Sequence, residues 1–225
     1  MSKTEQILND SNLVISQHPL TAHNLTILRD KNTPPEVFRV ATKRLANILS
    51  FEALKTLPVK RVEVETPLEK TEADILSPDY DIVIAPILRA ALTLSMVMEE
   101  LIPQARVHHI GLYRNEETLE PVSYYNKVPE NIEKPDKQII FVLDPMFATG
   151  GSAIAAVQIF RNIGVPEENI TFVSMISAPE GIEKFRSVHK KVKIITGAVD
   201  RQLNDRGYIM PGLGDAGDRT YNTIY

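Results

Sequence analysis

Residues Ile139–Ser152 read I-I-F-V-L-D-P-M-F-A-T-G-G-S, and this stretch decides the fold. An apolar, β-branched run ends in Asp144, and the loop that follows closes on two glycines just before a helical pattern begins. Neighbouring glycines allow backbone N–H groups to converge, Thr149 and Ser152 add hydroxyl donors, and the helix directs its positive end to the same point. The stretch therefore predicts a phosphate-binding loop at the carboxyl end of a strand, with Asp144 near the hydroxyls of a phosphorylated sugar. The alternative is a glycine-rich turn without a ligand, which leaves the coincidence of acid, hydroxyls and paired glycines unexplained.

Strand and helix patterns alternate from Asp81 onward. Strands are predicted at Ile82–Ala85, Val107–Leu112, Ile139–Leu143, Ile170–Ile176 and Val192–Ile195, and helices at Ala90–Leu101, Ala153–Ile163 and Pro179–Val188. Nearly all-apolar strands in such an alternation are typical of a parallel sheet covered on both faces. An amphipathic helix at Pro34–Leu57 precedes them, with Val37, Val40, Ala41, Leu45, Ile48 and Leu49 at helical spacing.

We therefore predict an α/β fold with a doubly wound, mainly parallel sheet. The whole chain, 1–225, is expected to form one domain. Its parts are a helical region at about 15–80, a core at 81–200 and a loop with a tail at 201–225.

Unusual polar residues follow the predicted strands. They are Arg89, Arg114, Asp144, Glu180 and Asp200. Ligands of open α/β sheets bind at the carboxyl ends of the strands, so these residues are expected to share one functional rim.

Composition narrows the class of protein. The 225 residues are 43% hydrophobic and 24% charged, which is ordinary for a globular enzyme. The formal net charge of -4 gives the chain no general excess of positive charge for binding nucleic acid. The absence of cysteine excludes disulfides, thiolate catalysis and cysteine-based zinc sites. The N-terminus is too polar for a secretory signal, and the most membrane-like stretch, Ile82–Met98, is short and interrupted by Pro86 and Arg89. A cytoplasmic protein without a membrane or nucleic-acid partner is expected.

Four motifs resemble the type I phosphoribosyltransferases, and among them the uracil phosphoribosyltransferases. The motifs are P-I-L-R-A (Pro86–Ala90), Y-R-N-E-E-T-L-E-P-V (Tyr113–Val122), D-P-M-F-A-T-G-G-S (Asp144–Ser152) and G-Y-I-M-P-G-L-G-D-A-G-D-R (Gly207–Arg219). The resemblance extends from about residue 15 to the end. It implies a β-hairpin arm and a C-terminal base-binding hood on the fold. It also implies that uracil and phosphoribosyl pyrophosphate are converted to UMP and diphosphate.

The resemblance also implies a role for individual residues. Binding of phosphoribosyl pyrophosphate is expected from Arg89, Arg114, Asp144, Pro145, Met146, Phe147, Ala148, Thr149, Gly150, Gly151, Ser152 and Asp215. Uracil is expected to contact Ile209, Gly214, Asp215 and Ala216, largely through their backbone. Arg89, Arg114, Asp144 and Asp215 are the expected catalytic residues. Mg²⁺ is expected on the donor's own oxygens, with few or no direct protein ligands.

Further expectations concern regulation and assembly. The resemblance implies a homodimer or a larger even homo-oligomer, and it allows GTP as an effector. A hairpin arm is expected at Arg114–Asn126, mobile without ligand. The sequence departs from the family pattern at Ala91-Leu92-Thr93 and at Thr220–Thr223, which we interpret as adjustments.

A different class of function shares the fold. A nucleotide-sensing regulator would bind nucleic acid with little or no turnover, and a basic face with interleaved aromatics is expected of it. No such face is evident in the sequence, and the base loop is intact, so the enzyme is favoured.

Overall fold

The computed structural model describes residues 7, 9–114 and 121–223, with the side chain of Arg114 left out. Its strands are β1 (Leu13–Ile15), β2 (Val59–Glu65), β3 (Lys70–Leu76), β4 (Asp81–Leu88), β5 (Arg106–Val107), β6 (Ile110–Arg114), β7 (Pro121–Asn126), β8 (Gln138–Leu143), β9 (Met146–Phe147), β10 (Ile170–Ser174), β11 (Ile176–Ser177), β12 (Lys193–Thr196), β13 (Gln202–Leu203) and β14 (Ile209–Met210). Its α-helices are α1 (Pro19–Arg29), α2 (Pro35–Leu54), α3 (Leu92–Leu101), α4 (Gly151–Asn162), α5 (Pro179–Val188) and α6 (Ala216–Tyr221).

The main sheet confirms the predicted parallel architecture. Its strand order is β1-β12-β10-β8-β4-β6-β7, with β5 beside β4. Every pairing in it is parallel except that of β6 with β7. The carboxyl ends of β4, β8, β10 and β12 therefore lie along one edge, where a ligand site is expected in such a sheet.

Helices cover both faces of this sheet, as predicted. On one face α1, α2 and α3 pack through residues such as Leu28, Leu45 and Met98. On the other face α4 and α5 contribute Phe160 and Phe185. The central strand β8 serves both clusters, with alternate residues pointing to opposite sides. The sheet is thus buried on both faces, which explains why its strands are almost entirely apolar.

Several predicted boundaries differ from the structure. The run predicted as one strand at Val107–Leu112 is divided between β5 and β6, and the run at Ile170–Ile176 is divided between β10 and β11. Helix α2 ends at Leu54 and not at Leu57. The buried face of α2 includes Phe38, whereas Val37 and Val40 are 42% and 47% exposed. The spacing rule found the helix but shifted its buried stripe by part of a turn, because Val37 and Val40 extend the apolar pattern beyond one side of the stripe.

Two β-hairpins extend the fold. The pair β6–β7 is antiparallel and confirms the hairpin predicted around Arg114–Asn126, although its tip at 115–120 lies outside the described residues. The mobility of this arm stays a prediction. A second hairpin, β2–β3, was not predicted, because most of its side chains are exposed and no buried face marks it. The weak alternation of K-R-V-E-V-E in β2 was the available signal.

The membrane-like stretch Ile82–Met98 folds as strand β4 followed by most of α3. Across the described part of the chain, none of the helices combines the length and apolarity that a membrane crossing requires.

Candidate active site

A cleft of about 250 Å³ opens at the carboxyl edge of the sheet. Residues of the segment 144–152, here called the phosphate-side loop, form one wall: Asp144, Met146, Phe147, Ala148, Thr149, Gly150 and Ser152. Residues of the segment 207–219, the base-side loop, form the other: Gly207, Tyr208, Ile209, Gly214, Asp215, Ala216 and Gly217. The two motifs that the sequence assigned to phosphate and base therefore face each other across one cleft.

The phosphate-side loop takes the form that its sequence predicts. Gly150 has a φ of +79° and precedes the first residue of α4, so the helix begins at the end of the loop. The hydroxyls of Thr149 and Ser152 line the cleft, and no described residue accepts or donates a hydrogen bond to either. The positive end of α4 and the free hydroxyls together suit a phosphate group.

A glycine outside the motif supports this loop. A Cβ at Gly150 would lie 2.6 Å from the carbonyl oxygen of Gly181, in the first turn of α5. A Cβ at Gly181 would overlap the carbonyl oxygen of Ala148 and lie 2.9 Å from its carbon. The two backbones thus touch where neither side has room for a side chain. Sequence reasoning missed Gly181; a glycine in the first turn of an amphipathic helix, where it weakens the helix, was the signal.

Asp144 occupies the position predicted for it, at the tip of β8. Burial raises the pKa of its carboxyl to about 7, repulsion from Asp215 adds to the rise, and the N–H of Met146, 3.3 Å from Oδ1, opposes it. The carboxyl therefore changes its protonation state in the neutral range. A cation or a sugar hydroxyl beside it would favour the ionised form.

Asp215 has a second role besides lining the cleft. Its Oδ1 accepts from the N–H of Asp218 at 2.9 Å and caps α6. Such a cap fixes the carboxylate in place, because it satisfies a free N–H of the first helical turn.

The base-side loop is held by two arginines. Arg29, at the end of α1, donates to the carbonyl oxygen of Gly212 at 2.9 Å and pairs with Asp200. Arg219 donates to the carbonyl oxygens of Leu213 at 2.7 Å and of Leu28, and its guanidinium lies 4.4 Å from the ring centre of Phe38. Neither Arg29 nor Arg219 was predicted as part of the site, since each acts through a contact distant in sequence.

The position of Arg89 differs from that expected of a residue on the functional rim. The side chain of Arg89 is 61% exposed, 3.9 Å from Asp218, and it does not line the cleft although its neighbour Ala90 does. Arg114 is the last residue of β6, and its side chain lies outside what the structure describes.

Two other rim acids support the loops and do not face the cleft. Glu180 accepts from the N–H of Leu203 at 3.0 Å, and Asp200 is bound to Arg29. Of the residues assigned to the phosphate-side loop, Pro145 and Gly151 do not line the cleft either. The carbonyl of Pro145 instead accepts from Met175 and Ile176, at 3.1 and 3.2 Å.

The carboxylates suit a metal that arrives with its substrate. Among residues 7, 9–114 and 121–223 no three acidic or imidazole side chains are grouped to hold an ion. Asp144 and Asp215 repel each other across the cleft, and a divalent cation near them would offset this repulsion. Carboxylate oxygens of this kind are donors that Mg²⁺ accepts, together with the oxygens of a phosphorylated substrate.

Comparison with known proteins gives consistent results. A family model described as uracil phosphoribosyltransferase matches residues 14–223. A uracil phosphoribosyltransferase of Dictyoglomus thermophilum is 51% identical over 211 residues, which cover 94% of this chain and 99% of the relative. One of Streptococcus mutans is 46% identical over 209 residues, covering 93% and 97%.

Solved structures are similar as well. A protein of Aquifex aeolicus has a TM-score of 0.84 at 38% identity, with 95% of this chain and 100% of that chain covered. An adenine phosphoribosyltransferase of Trypanosoma brucei has a TM-score of 0.53 at 12% identity and shares the fold, with 87% of each chain covered.

Proposed function

The chain belongs to the uracil phosphoribosyltransferase family, and we propose that it converts uracil and phosphoribosyl pyrophosphate to UMP and diphosphate. The observation that carries this function is the cleft in which the phosphate-side and base-side loops meet. A transferase must hold its two substrates in a fixed orientation relative to each other, and this cleft brings the sugar phosphate and the base together.

The phosphate-side loop binds the ribose 5-phosphate end of the donor. Thr149 and Ser152 donate from their hydroxyls, and the first N–H groups of α4 add to the positive potential. This holds the anomeric carbon towards the base-side loop. The C–O bond to diphosphate then breaks as uracil N1 forms the new C–N bond, and the N1–H proton leaves with the departing diphosphate. The developing positive charge on the sugar is stabilised by nearby carboxylates.

Asp144 and Asp215 are those carboxylates in our proposal. Asp144 accepts hydrogen bonds from the ribose hydroxyls, and these bonds favour ionisation of a carboxyl whose pKa is raised to about 7 by burial. Mg²⁺, when bound to the donor's oxygens, neutralises the charge of the diphosphate leaving group. Arg89 and Arg114 bind the diphosphate from the exposed rim, which for Arg89 requires its side chain to turn inward from Asp218.

The base-side loop selects uracil through its backbone. Uracil presents an acceptor–donor–acceptor edge, and N–H and C=O groups at Ile209 and Gly214–Ala216 can match it. Cytosine reverses two of these groups, at N3 and at position 4, and leaves buried polar groups unpaired, at a cost of about 1–3 kcal/mol each. Ala148, on the opposite wall, leaves no carboxylate to meet a purine nitrogen.

The activity is tested with radiolabelled uracil, phosphoribosyl pyrophosphate and Mg²⁺, with labelled UMP as the readout. UMP formation that requires both substrates and is lost on chelation of Mg²⁺ supports the proposal. Absence of UMP under all conditions, with or without GTP, favours the regulator that senses nucleotides without turnover.

Assembly and regulation follow as separate proposals. A homodimer or larger even oligomer is supported by apolar side chains exposed on α2, of which Phe51 is 60% and Val40 47% exposed. Light scattering that gives only a 25.2 kDa particle at micromolar concentration would contradict it. Activation by GTP is tested in the same uracil assay, and a cytoplasmic location stays a prediction.

A further inference from the structure

Two charged side chains from distant parts of the chain close on the backbone of Gly212. Arg29 Nη1 donates to the carbonyl oxygen of Gly212 at 2.9 Å, and Asp200 Oδ2 accepts from its N–H at 2.9 Å. Arg29 and Asp200 also pair with each other through two hydrogen bonds of 2.6 and 2.7 Å. Both polar groups of one loop residue are therefore held by a closed ring of charge-assisted hydrogen bonds, which are among the strongest in proteins.

This clamp is built on the rigid frame of the sheet. The N–H of Asp200 donates to the carbonyl oxygen of Ser177 at 2.8 Å. The hydroxyl of Ser177 lies in a buried network with Ser174 and Thr196, with oxygen–oxygen distances of 2.9 to 3.1 Å. Only 5% of the Asp200 side chain is exposed. The position of its carboxylate is thus set by the ends of β10, β11 and β12.

Gly212 transmits this position to the base-side loop. It has a φ of +64°, and a Cβ there would overlap the carbonyl oxygen of Ile209. Ile209 and Gly214, on either side of it, line the cleft, whereas Arg29 and Asp200 do not. A displacement of Gly212 would therefore move the groups that face the base, without a change in any side chain that lines the cleft.

We infer that the Arg29–Asp200 pair is a positioning element for base selection, which fixes the base-side loop through Gly212 and does not touch the substrate. The inference rests on the proposed function. Hydrogen-bond matching of a flat base tolerates errors of only about 0.5 Å, so the backbone that reads the base needs such support. No hydrogen bond or ion pair joins Arg29 or Asp200 to the phosphate-side loop, residues 144–152, all of which are described, so donor binding is expected to be independent of the pair.

The test compares Arg29→Lys, Arg29→Gln and Asp200→Asn with the wild-type enzyme. Lysine keeps the charge but cannot form the bidentate pair, and glutamine loses both. KM is measured separately for uracil and for phosphoribosyl pyrophosphate, and cytosine is offered as a competing acceptor. We expect KM for uracil to rise by about tenfold or more in Arg29→Gln and Asp200→Asn, less in Arg29→Lys, with KM for the donor within about twofold. The preference for uracil over cytosine should fall in the same order.

Arg186→Gln is the matched control. Arg186 is also a largely enclosed arginine, 17% exposed, that pairs with Asp10 and donates to the carbonyl oxygens of Val192 at 2.6 Å and Asn12 at 3.1 Å. Arg186 lies away from the cleft. The Arg186→Gln variant should therefore have a lower melting temperature but unchanged KM values for uracil and for the donor. If Asp200→Asn does not fold, Arg29→Lys tests the inference in its place, because it keeps a positive charge beside the buried Asp200.

Binding measurements give a second readout. Calorimetry should show weaker UMP binding in the Arg29 variants with unchanged affinity for ribose 5-phosphate. Equal losses for both ligands, or no change in KM for uracil, would overturn the inference while wild-type UMP formation still stands. A wild-type enzyme that forms no UMP would instead overturn the proposed function.

Discussion

The two loops that face each other across the cleft are held in place by different means. The phosphate-side loop is one continuous segment, shaped by its own glycines and by a backbone contact with Gly181. The base-side loop is fixed by arginines that each bind a partner 171 to 191 positions away in sequence. One site therefore combines a local motif with a structure that exists only after the chain has folded. The difference predicts that the two loops fail in different ways when they are altered.

The largest effect is expected from the hydroxyls of the phosphate-side loop. Thr149→Val with Ser152→Ala removes two donors to a charged phosphate at about 1.5–3 kcal/mol each, without a change in the packing of α4. Donor affinity should fall by roughly 100-fold or more, while the melting temperature and KM for uracil change little. Calorimetry with ribose 5-phosphate measures this. Near wild-type affinity would show that the segment is only a turn.

The second prediction tests the support of the same loop. Gly181→Ala places a methyl group where the carbonyl of Ala148 lies, so the loop must move. A displacement of about 1 Å costs roughly 100-fold in donor binding or rate. Lys184→Ala, an exposed change on the same helix, is the control and should leave donor binding intact. An unchanged KM for the donor in Gly181→Ala would mean that the loop positions itself.

The third prediction addresses the base-side loop. Arg219→Gln removes donors to the carbonyl oxygens of Leu213 and Asp30, at 2.7 and 2.6 Å, and the cation above Phe38. We expect a loss of about 2 kcal/mol in the free energy of unfolding and a raised KM for uracil. Denaturant unfolding and steady-state kinetics measure both.

Arg61→Gln provides the comparison for this variant. Arg61 pairs with Glu72 at 3.0 Å on the exposed hairpin β2–β3, so its loss should change stability little. If Arg219→Gln behaves in the same way, the base-side loop does not depend on its long-range contacts.

The smallest effect concerns pH and Asp144. Its folded-state pKa of about 7 lies above the unfolded value, so the native state takes up a proton between about pH 4 and 7. The wild-type stability that this proton supplies is complete below pH 4 and is lost as pH rises through 7. The free energy of unfolding of Asp144→Asn, relative to that of the wild type, should therefore rise by about 1 kcal/mol from pH 5 to pH 8. This value is reduced for access of water to the cleft.

Melting curves of Asp144→Asn, wild type and Glu130→Gln across this range measure the difference. Glu130 is exposed, and its variant should follow the wild type. A constant difference between Asp144→Asn and wild type at all pH values would mean that the carboxyl of Asp144 does not titrate in this window.

Sequence patterns identified the parts of the molecule whose conformation is determined by residues adjacent in the chain. The parallel sheet followed from apolar runs, because a strand buried on both faces must be apolar throughout. The phosphate-side loop followed from glycines and hydroxyls adjacent to a strand end. The hairpin β2–β3 was missed because few of its side chains are buried. The buried stripe of α2 was shifted because Val37 and Val40 extend the apolar pattern on one side of it.

What the sequence determined by itself is therefore the sheet, the phosphate-side loop and the identity of the segment that faces it. Only the tertiary structure decided how that second segment is held, by Arg29 and Asp200 around Gly212 and by Arg219 against α1, and that Gly181 supports the phosphate-side loop on the other wall. The physical reason is distance along the chain. A turn is fixed by the φ and ψ of adjacent residues, whereas an ion pair or a backbone contact depends on where two remote segments meet after the core has packed.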